Sequence, residues 1–399
     1  MKAKNLTTKT VLTGIDLIGK SWPKRLKGLR IGLLVHPASV NIKLEHTVHS
    51  AIRCKDFKLK ALFGPQHGIR GETQDNMIEW EGFLDKNTGL PVYSLYGNTR
   101  KPLPQMLKNI DCMVIDVQDV GARYYTFIWT MELCMQACLE SAKSVVVLDR
   151  PNPIGGLQTE GPVLDSDYAS FVGQRPLPVR HGMTIGEIAL YLKDAFYPKL
   201  DLHIIKMRNW KRGMWFGKTG LPWVLPSPNM PTIDAALVYP GMCLLEGTHL
   251  SEGRGTTRPF EIFGAPFIEP DAFVKRLVDF KLKGVAFRPL HFQPTFQKHA
   301  GRLCGGAQIH VLDKKLFKPF KTAVAILKTA NELYPAYPLW KLPPYEYETE
   351  KMPIDILAGS DRLRIELEEH KNLDEIESWW VAECNVFDKN VRKKYLLYG

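Results

Sequence analysis

Usefully spaced cysteines are missing from this chain. Its seven cysteines, at positions 54, 112, 134, 138, 243, 304 and 384, are odd in number and include no C-x-x-C pair. That spacing excludes the usual zinc and redox motifs, so the thiols read as reduced. Cys134 and Cys138 stand four apart on a predicted helix and share one face, where a packed apolar stripe is the simpler reading. No segment approaches the roughly 20 apolar residues of a membrane span. The start, MKAKNLTTKTVLTGIDLIGK, is basic but has no continuous apolar stretch of export-signal length. The expectation is a cytoplasmic protein with no membrane partner. G-x-G-x-x-G opening a helix after the first strand and G-x-x-x-x-G-K-[ST] are also absent, which removes the devices that cradle dinucleotides and triphosphates. So are G-x-S-x-G and H-E-x-x-H, leaving no motif for a nucleophilic serine or a zinc protease. A parallel sheet here need not mean NAD, and no metal site is expected.

What the chain does contain is ordinary globular material. It has 399 residues, 45% hydrophobic and 24% charged. That length exceeds what one core usually supports, so two domains are expected, 1–239 and 240–399, the second starting near Pro240. The formal net charge of +11 would suit an anionic partner. The lysines and arginines are spread along the chain without a basic helix or finger, which argues against nucleic acid and leaves a small acidic substrate compatible.

In the first half, apolar runs alternate with amphipathic stretches. LRIGLLVHP from Leu29, FKLKALFGP from Phe57, LPVYSLYG from Leu90, DCMVIDVQD from Asp111 and SVVVLDRPNP from Ser144 read as buried strands. EHTVHSAIR, LPQMLKNI and TFIWTMELCMQACLESA have helical spacing between them. The alternation predicts α/β architecture: a Rossmann-like, doubly wound parallel sheet, followed by a smaller α/β (α+β) carboxyl-terminal domain with strands around GVAFRPLHFQP and GAQIHVLD. A helix is expected from Thr184, where Thr184 and Glu187 have capping-box spacing; capping is the better reading of Glu187 than catalysis.

Ligands of such sheets bind outside the carboxyl ends of the strands. Here those ends run into HPASV, GPQHGIRGETQDN, YGNTRKP, QDVGARYYT and DRPNPIGG. Turn chemistry accounts for any one loop. Together they carry His67, Arg70, Glu72, Asp119, Arg123, Tyr124, Asp149, Arg150 and Asn152. Glu72, Glu246 and Glu252 are the candidate catalytic carboxyls, since glycoside hydrolysis commonly uses two; taken alone, each reads better as a surface or ion-paired residue. In SEGRGT, glycines flank Arg254, whose planar fork could hold a substrate carboxylate. Arg254 ranks first for that role and Arg70 second, although either could instead brace an acidic neighbour. His67 could bind substrate or simply bond to backbone, and Tyr124 and Tyr125 could stack on a sugar or pack in the core.

GPQHGIRGE, TGLPVYSLYGNTRKP, DVQDVGARYYT, VVVLDRPNPIGG, PVRHGMTIGE, LPWVLPSPNMPT and EGTHLSEGRGTTRPFEIFGAPF resemble the exo-acting N-acetylmuramidase (NamZ-like) glycoside hydrolases, from about Leu29 to the carboxyl terminus. The resemblance implies an active site in a cleft between the two domains. It also implies exo-cleavage of the β-1,4 bond after a non-reducing N-acetylmuramic acid in peptidoglycan fragments, with no organic cofactor. Carried over by motif, the cleft would include His67, Arg70, Gln118, Asp119, Arg123, Tyr124, Asp149, Arg150, Asn152, His181, Asn229, Glu246, Glu252 and Arg254.

One position departs from the family pattern. Where P-E-H-G is expected, the chain reads Pro65, Gln66, His67, Gly68, and an amide is no general acid or base. Glu72 is the nearest replacement in sequence. Gln66 also keeps open a non-hydrolytic sugar-binding protein, and the Rossmann-like sheet keeps open a transferase or an enzyme of another anionic sugar.

Overall fold

The computed structural model describes residues 9–75 and 77–399. The apolar runs of the first half form β1 (Arg30–Val35), β2 (Lys58–Gly64), β3 (Phe83–Leu84), β4 (Pro91–Ser94), β5 (Cys112–Asp116) and β6 (Ser144–Leu148). A side hairpin of β7 (Glu160–Val163) and β8 (Pro178–Arg180) follows, and β9 (Leu202–Ile205) then returns to the main sheet. The sheet order is β3-β4-β2-β1-β5-β6-β9, parallel throughout except for β3 on its edge. Numbered among themselves, the six parallel strands run 3-2-1-4-5-6, the order of a doubly wound sheet.

The strands are near-continuous apolar runs because both faces are covered. In β5, Met113 and Ile115 enter one core while Cys112 and Val114 enter the other. Helices Phe127–Glu140 and Ile185–Phe196 cover the first face; Gly14–Ser21 and Thr47–Arg53 cover the second. Cys134 and Cys138 are buried in the Phe127–Glu140 helix as packed side chains. Thr184 and Glu187 form the expected capping box, and Glu187 also pairs with Arg212.

The second half carries a separate antiparallel sheet of β10 (Ile262–Ala265), β11 (Val285–Phe292) and β12 (Cys304–Val311), in the order β10-β12-β11. Its core is continuous with one face of the first sheet, running from Phe63 and Trp129 to Phe320 and Trp380. The expected boundary at Pro240 lies inside the helix Ile233–Met242, which packs against helix Pro319–Leu333. That crossing is tight: a Cβ on Gly241 would lie 1.9 Å from the carbonyl oxygen of Pro319.

Arg123 ties the halves together from a fully buried position. One of its terminal nitrogens donates to Pro162 O (2.7 Å) and Leu177 O (2.9 Å), the other to Leu357 O (2.8 Å) and Ala358 O (2.9 Å). Burial lowers its pKa to about 10, leaving it charged at neutral pH. Arg123→Met should therefore strand four buried carbonyls and cost at least about 4 kcal/mol, at roughly 1 kcal/mol or more for each lost partner. Urea unfolding measures this, and a loss below about 1 kcal/mol would show that the clamp is dispensable.

Candidate active site

At the crevice between β1 and β5, where the strand order reverses, Ala38, Val40, Gln118, Arg150 and Trp223 line a small pocket. Arg150 grips Asp116 bidentately at 2.6 and 2.9 Å, and Thr47 also bonds to that carboxylate. To one side, the loops after β2 and β5 meet the second half. There a pocket is lined by Gln66, His67, Tyr124, Tyr125, Thr126, Ser227, Asn229, Tyr239, Cys243, Glu246, Arg254, Tyr345 and Glu346, among others.

The loop after β2 enters the pocket through two successive left-handed residues, His67 (φ 68°) and Gly68 (φ 77°). A histidine in that region is uncommon and marks a position held by its surroundings. Its Nδ1 bonds to Thr73 O at 2.7 Å. A carbonyl can only accept, so Nδ1 carries the proton. Burial lowers the His67 pKa to about 4 despite that bond, so the ring is neutral and its Nε2 is an acceptor. Asn229 is oriented by the same loop, exchanging bonds of 3.1 and 2.9 Å with Gln74.

Gln66 belongs to a directed chain of hydrogen bonds. The Thr126 hydroxyl donates to Gln66 Oε1 (2.8 Å), Gln66 Nε2 donates to the Tyr96 hydroxyl (3.1 Å), and that hydroxyl donates to Glu346 Oε2 (3.1 Å). Because the amide donates to Tyr96, the tyrosine proton is committed to Glu346. Burial, then the charge of Glu246, push the Glu346 pKa up to about 7. With Oε2 accepting from Tyr96, the acidic proton belongs on Oε1.

Opposite stands a compensated charge cluster. Arg254 donates to Glu246 Oε1 (2.7 Å) and Glu252 Oε1 (2.9 Å), Lys298 donates to Glu252 Oε2 (2.8 Å), and the Tyr345 hydroxyl donates to Glu246 Oε2 (2.8 Å). Burial alone would raise the Glu252 pKa, but Lys298 and Arg254 hold it at about 2. The turns that place Arg254 need Gly253 and Gly255: both have positive φ, and a Cβ on either would meet backbone oxygen at 2.4–2.5 Å.

Of the residues expected from the sequence, His67, Tyr124, Asn229, Glu246 and Arg254 line this pocket. The others are placed elsewhere. Glu72 is exposed on its loop, and Glu252 sits behind Arg254. Arg70 is largely exposed, paired with Asp85 at 3.4 Å and stacked on Phe83. Arg123 is the clamp described above and Arg150 is the partner of Asp116. Gln118 donates to Asp119 O and Pro151 O, and Asn152 to Met183 O. Asp119 accepts from Gly121 N and lies 3.2 Å from His181 Nε2. Asp149 is buried under Thr184, Gly186 and Tyr398, with its pKa raised to about 7 by burial. Conversely, Glu346 and Tyr345 escaped the sequence reading. Their only sequence signal is PPYEYE, two prolines followed by alternating rings and acids.

The assembly is thus an α/β protein of two packed sheets whose seam encloses an acid with a raised pKa facing a braced carboxylate, the class of site found in glycoside-cleaving enzymes. Residues 31–234 match the description Exo-beta-N-acetylmuramidase NamZ, N-terminal, and residues 237–398 match its C-terminal counterpart. The chain belongs to the NamZ exo-beta-N-acetylmuramidase family. It is 47% identical over 398 residues to the peptidoglycan beta-N-acetylmuramidase NamZ of Bacillus subtilis, covering 99% of this chain and 94% of that one. Two solved DUF1343 family proteins of Bacteroides fragilis share the fold over 98% of this chain and 99% of each of theirs, one at TM-score 0.88 and 35% identity, the other at 0.76 and 30%.

The charge cluster predicts how Arg254→Leu should behave. Removing the guanidinium leaves Glu246 and Glu252 facing each other in a buried site, and breaking a buried pair in this way typically costs about 3–5 kcal/mol. The variant should melt well below the parent in a thermal scan. An unchanged Tm would mean that Arg254 is not the brace its contacts describe.

Proposed function

We propose that the chain is an exo-acting glycoside hydrolase that releases non-reducing N-acetylmuramic acid from β-1,4-linked, peptidoglycan-derived disaccharides or fragments. The single observation that carries the chemistry is the contrast between Glu346, protonated near neutrality, and Glu246, held by Arg254 and Tyr345, in one enclosed pocket. Glu346 Oε1 delivers its proton to the glycosidic oxygen as the bond to the anomeric carbon breaks. Glu246 stabilises the positive charge that develops on the sugar, and a water molecule then adds to the anomeric carbon, giving up a proton that restores Glu346. Neutral His67 accepts a substrate hydroxyl through Nε2, and Asn229 offers an oriented amide. The family's activity on a muramidase substrate, borne by the Bacillus subtilis relative's name, supports the sugar. The seven cysteines, all free thiols, suit a reducing compartment, so the reading places the reaction in the cytoplasm, on fragments being recycled. A division into an amino-terminal domain of residues 1–239 and a carboxyl-terminal domain of residues 240–399 belongs to the same reading, with the pocket at their seam.

A second reading, a sugar-binding protein that has lost its acid, is favoured by Gln66 alone. Incubation with a chromogenic β-N-acetylmuramide separates the two: release of the chromophore supports hydrolysis, and binding without release supports the rival. Gln66→Glu sharpens the comparison. If Glu346 is the working acid, a carboxyl at position 66 competes for the Tyr96 hydroxyl and the rate stays level or falls. A rise of several-fold would mean that Gln66 marks a missing acid.

Glu346→Gln should lower kcat by 10²- to 10⁴-fold, the usual contribution of general acid catalysis, while leaving folding intact. In the parent, the acid must be protonated to act, so the rate should fall as pH rises through about 7. His67, titrating near 4, should leave no mark between pH 5 and 8. A flat rate from pH 6 to 9, together with near-normal turnover of Glu346→Gln, would remove Glu346 from this role.

A further inference from the structure

Glu346 lines not one cavity but two: the enclosed pocket, and a wider groove that opens beside it to solvent. We propose that this groove is the subsite for the leaving-group sugar, a neutral N-acetylhexosamine, and that the turn at Glu346 and Tyr347 stands directly beneath the scissile bond. This rests on the glycosidase reading given above.

The first support is the turn itself. Tyr345 and Glu348 exchange both backbone hydrogen bonds at 2.9 Å, closing a two-residue hairpin. Glu346 (φ 43°) and Tyr347 (φ 71°) both have positive φ. Such turns ordinarily carry Asn and Gly, because side chains resist that backbone. Keeping a glutamate and a tyrosine there is a strained choice, and strain of this kind gathers at sites that need a particular side-chain direction. Here the first residue serves the enclosed pocket and the next serves only the groove.

The second support is the groove's chemistry. Tyr347 is half exposed, and its ring is backed by the Arg100 guanidinium, 4.4 Å from the ring centroid. Arg100 is itself fixed: it lies 4.3 Å from the Tyr96 ring centroid and pairs with Glu79 at 2.9 Å. Phe171 adds a second aromatic wall. A rigid ring flanked by a guanidinium and a carboxylate suits a pyranose, which presents an apolar C–H face for stacking and hydroxyls around its rim. Position fits as well. An exo-acting enzyme must hold one sugar in a closed pocket and let the remainder leave through an open side, with the acid at the junction, and Glu346 occupies that junction. The groove contains no guanidinium free of an acidic partner among its described residues, which favours a neutral sugar over an anionic one next to the scissile bond.

The test compares two substrates that differ only beyond the glycosidic oxygen: a β-1,4 disaccharide of N-acetylmuramic acid and N-acetylglucosamine, and methyl β-N-acetylmuramide. Tyr347→Gly removes the stacking ring and relieves the positive φ, so the turn keeps its fold. The variant should lose about three- to tenfold of the parent's kcat/KM preference for the disaccharide, as expected for one aromatic contact, with the loss mainly in KM; Tyr347→Phe should retain the preference. Proportional loss on both substrates, or no change on either, overturns the subsite. If the parent protein cleaves neither substrate, the glycosidase reading fails and the subsite fails with it, an outcome distinct from a parent that cleaves both and a variant that loses both alike.

Discussion

A buried guanidinium surrounded by carbonyls holds the two halves of this molecule in register. Among the described residues, no carboxylate is in hydrogen-bond contact with Arg123; its charge is solvated by the oxygens of Pro162, Leu177, Leu357 and Ala358. Four dipoles aimed at one cation replace the water it has lost, and they do so only if the segments carrying them stay in place. The first two lie on the side hairpin of the amino-terminal half and the last two on a helix of the carboxyl-terminal half. A pocket built from both halves can then be positioned to within fractions of an ångström, which catalytic geometry requires.

The pocket uses the same economy of charge. Two carboxylates, one guanidinium and one ammonium form a balanced group around Glu246, Glu252, Arg254 and Lys298, and each buried charge meets an opposite one. Glu346 is left outside that balance. Its nearest hydrogen-bond partner is a tyrosine hydroxyl, a neutral donor, and it feels the charge of Glu246. Environment therefore raises the pKa of Glu346 to about 7 while Glu246 is bonded to Arg254 and Tyr345.

Much of the arginine and aspartate chemistry in the strand-end loops turns out to be architectural. Arg150 neutralises Asp116 where the sheet order reverses, Asp149 ties the end of β6 to the Thr184 cap and to Tyr398, and Asn152 shapes its own turn. Polar loop residues at strand ends are natural candidates for ligand contact, yet buried loops also have backbone groups to satisfy, and the same residue types meet that need. The loops are the expected ones, but that many of their residues serve the fold is something only contacts reveal.

The sequence by itself determined the alternation of strands and helices, the doubly wound sheet, the helix cap at Thr184 and the family to which the chain is similar. These depend on local periodicity and on motifs that survive as strings of residues. It also placed His67, Asn229, Glu246 and Arg254 near one another through those motifs. Tertiary structure alone decided that Arg123 clamps rather than binds, that Glu72 faces solvent, and that Gln66 reaches Tyr96 and through it Glu346, far along the chain. Acidity was beyond the sequence for the same reason. A glutamate's pKa is set by what surrounds it in space, and the groups that surround Glu346, Tyr96 and Arg100 on one side and Glu246 and Arg254 on the other, come from distant segments of the chain.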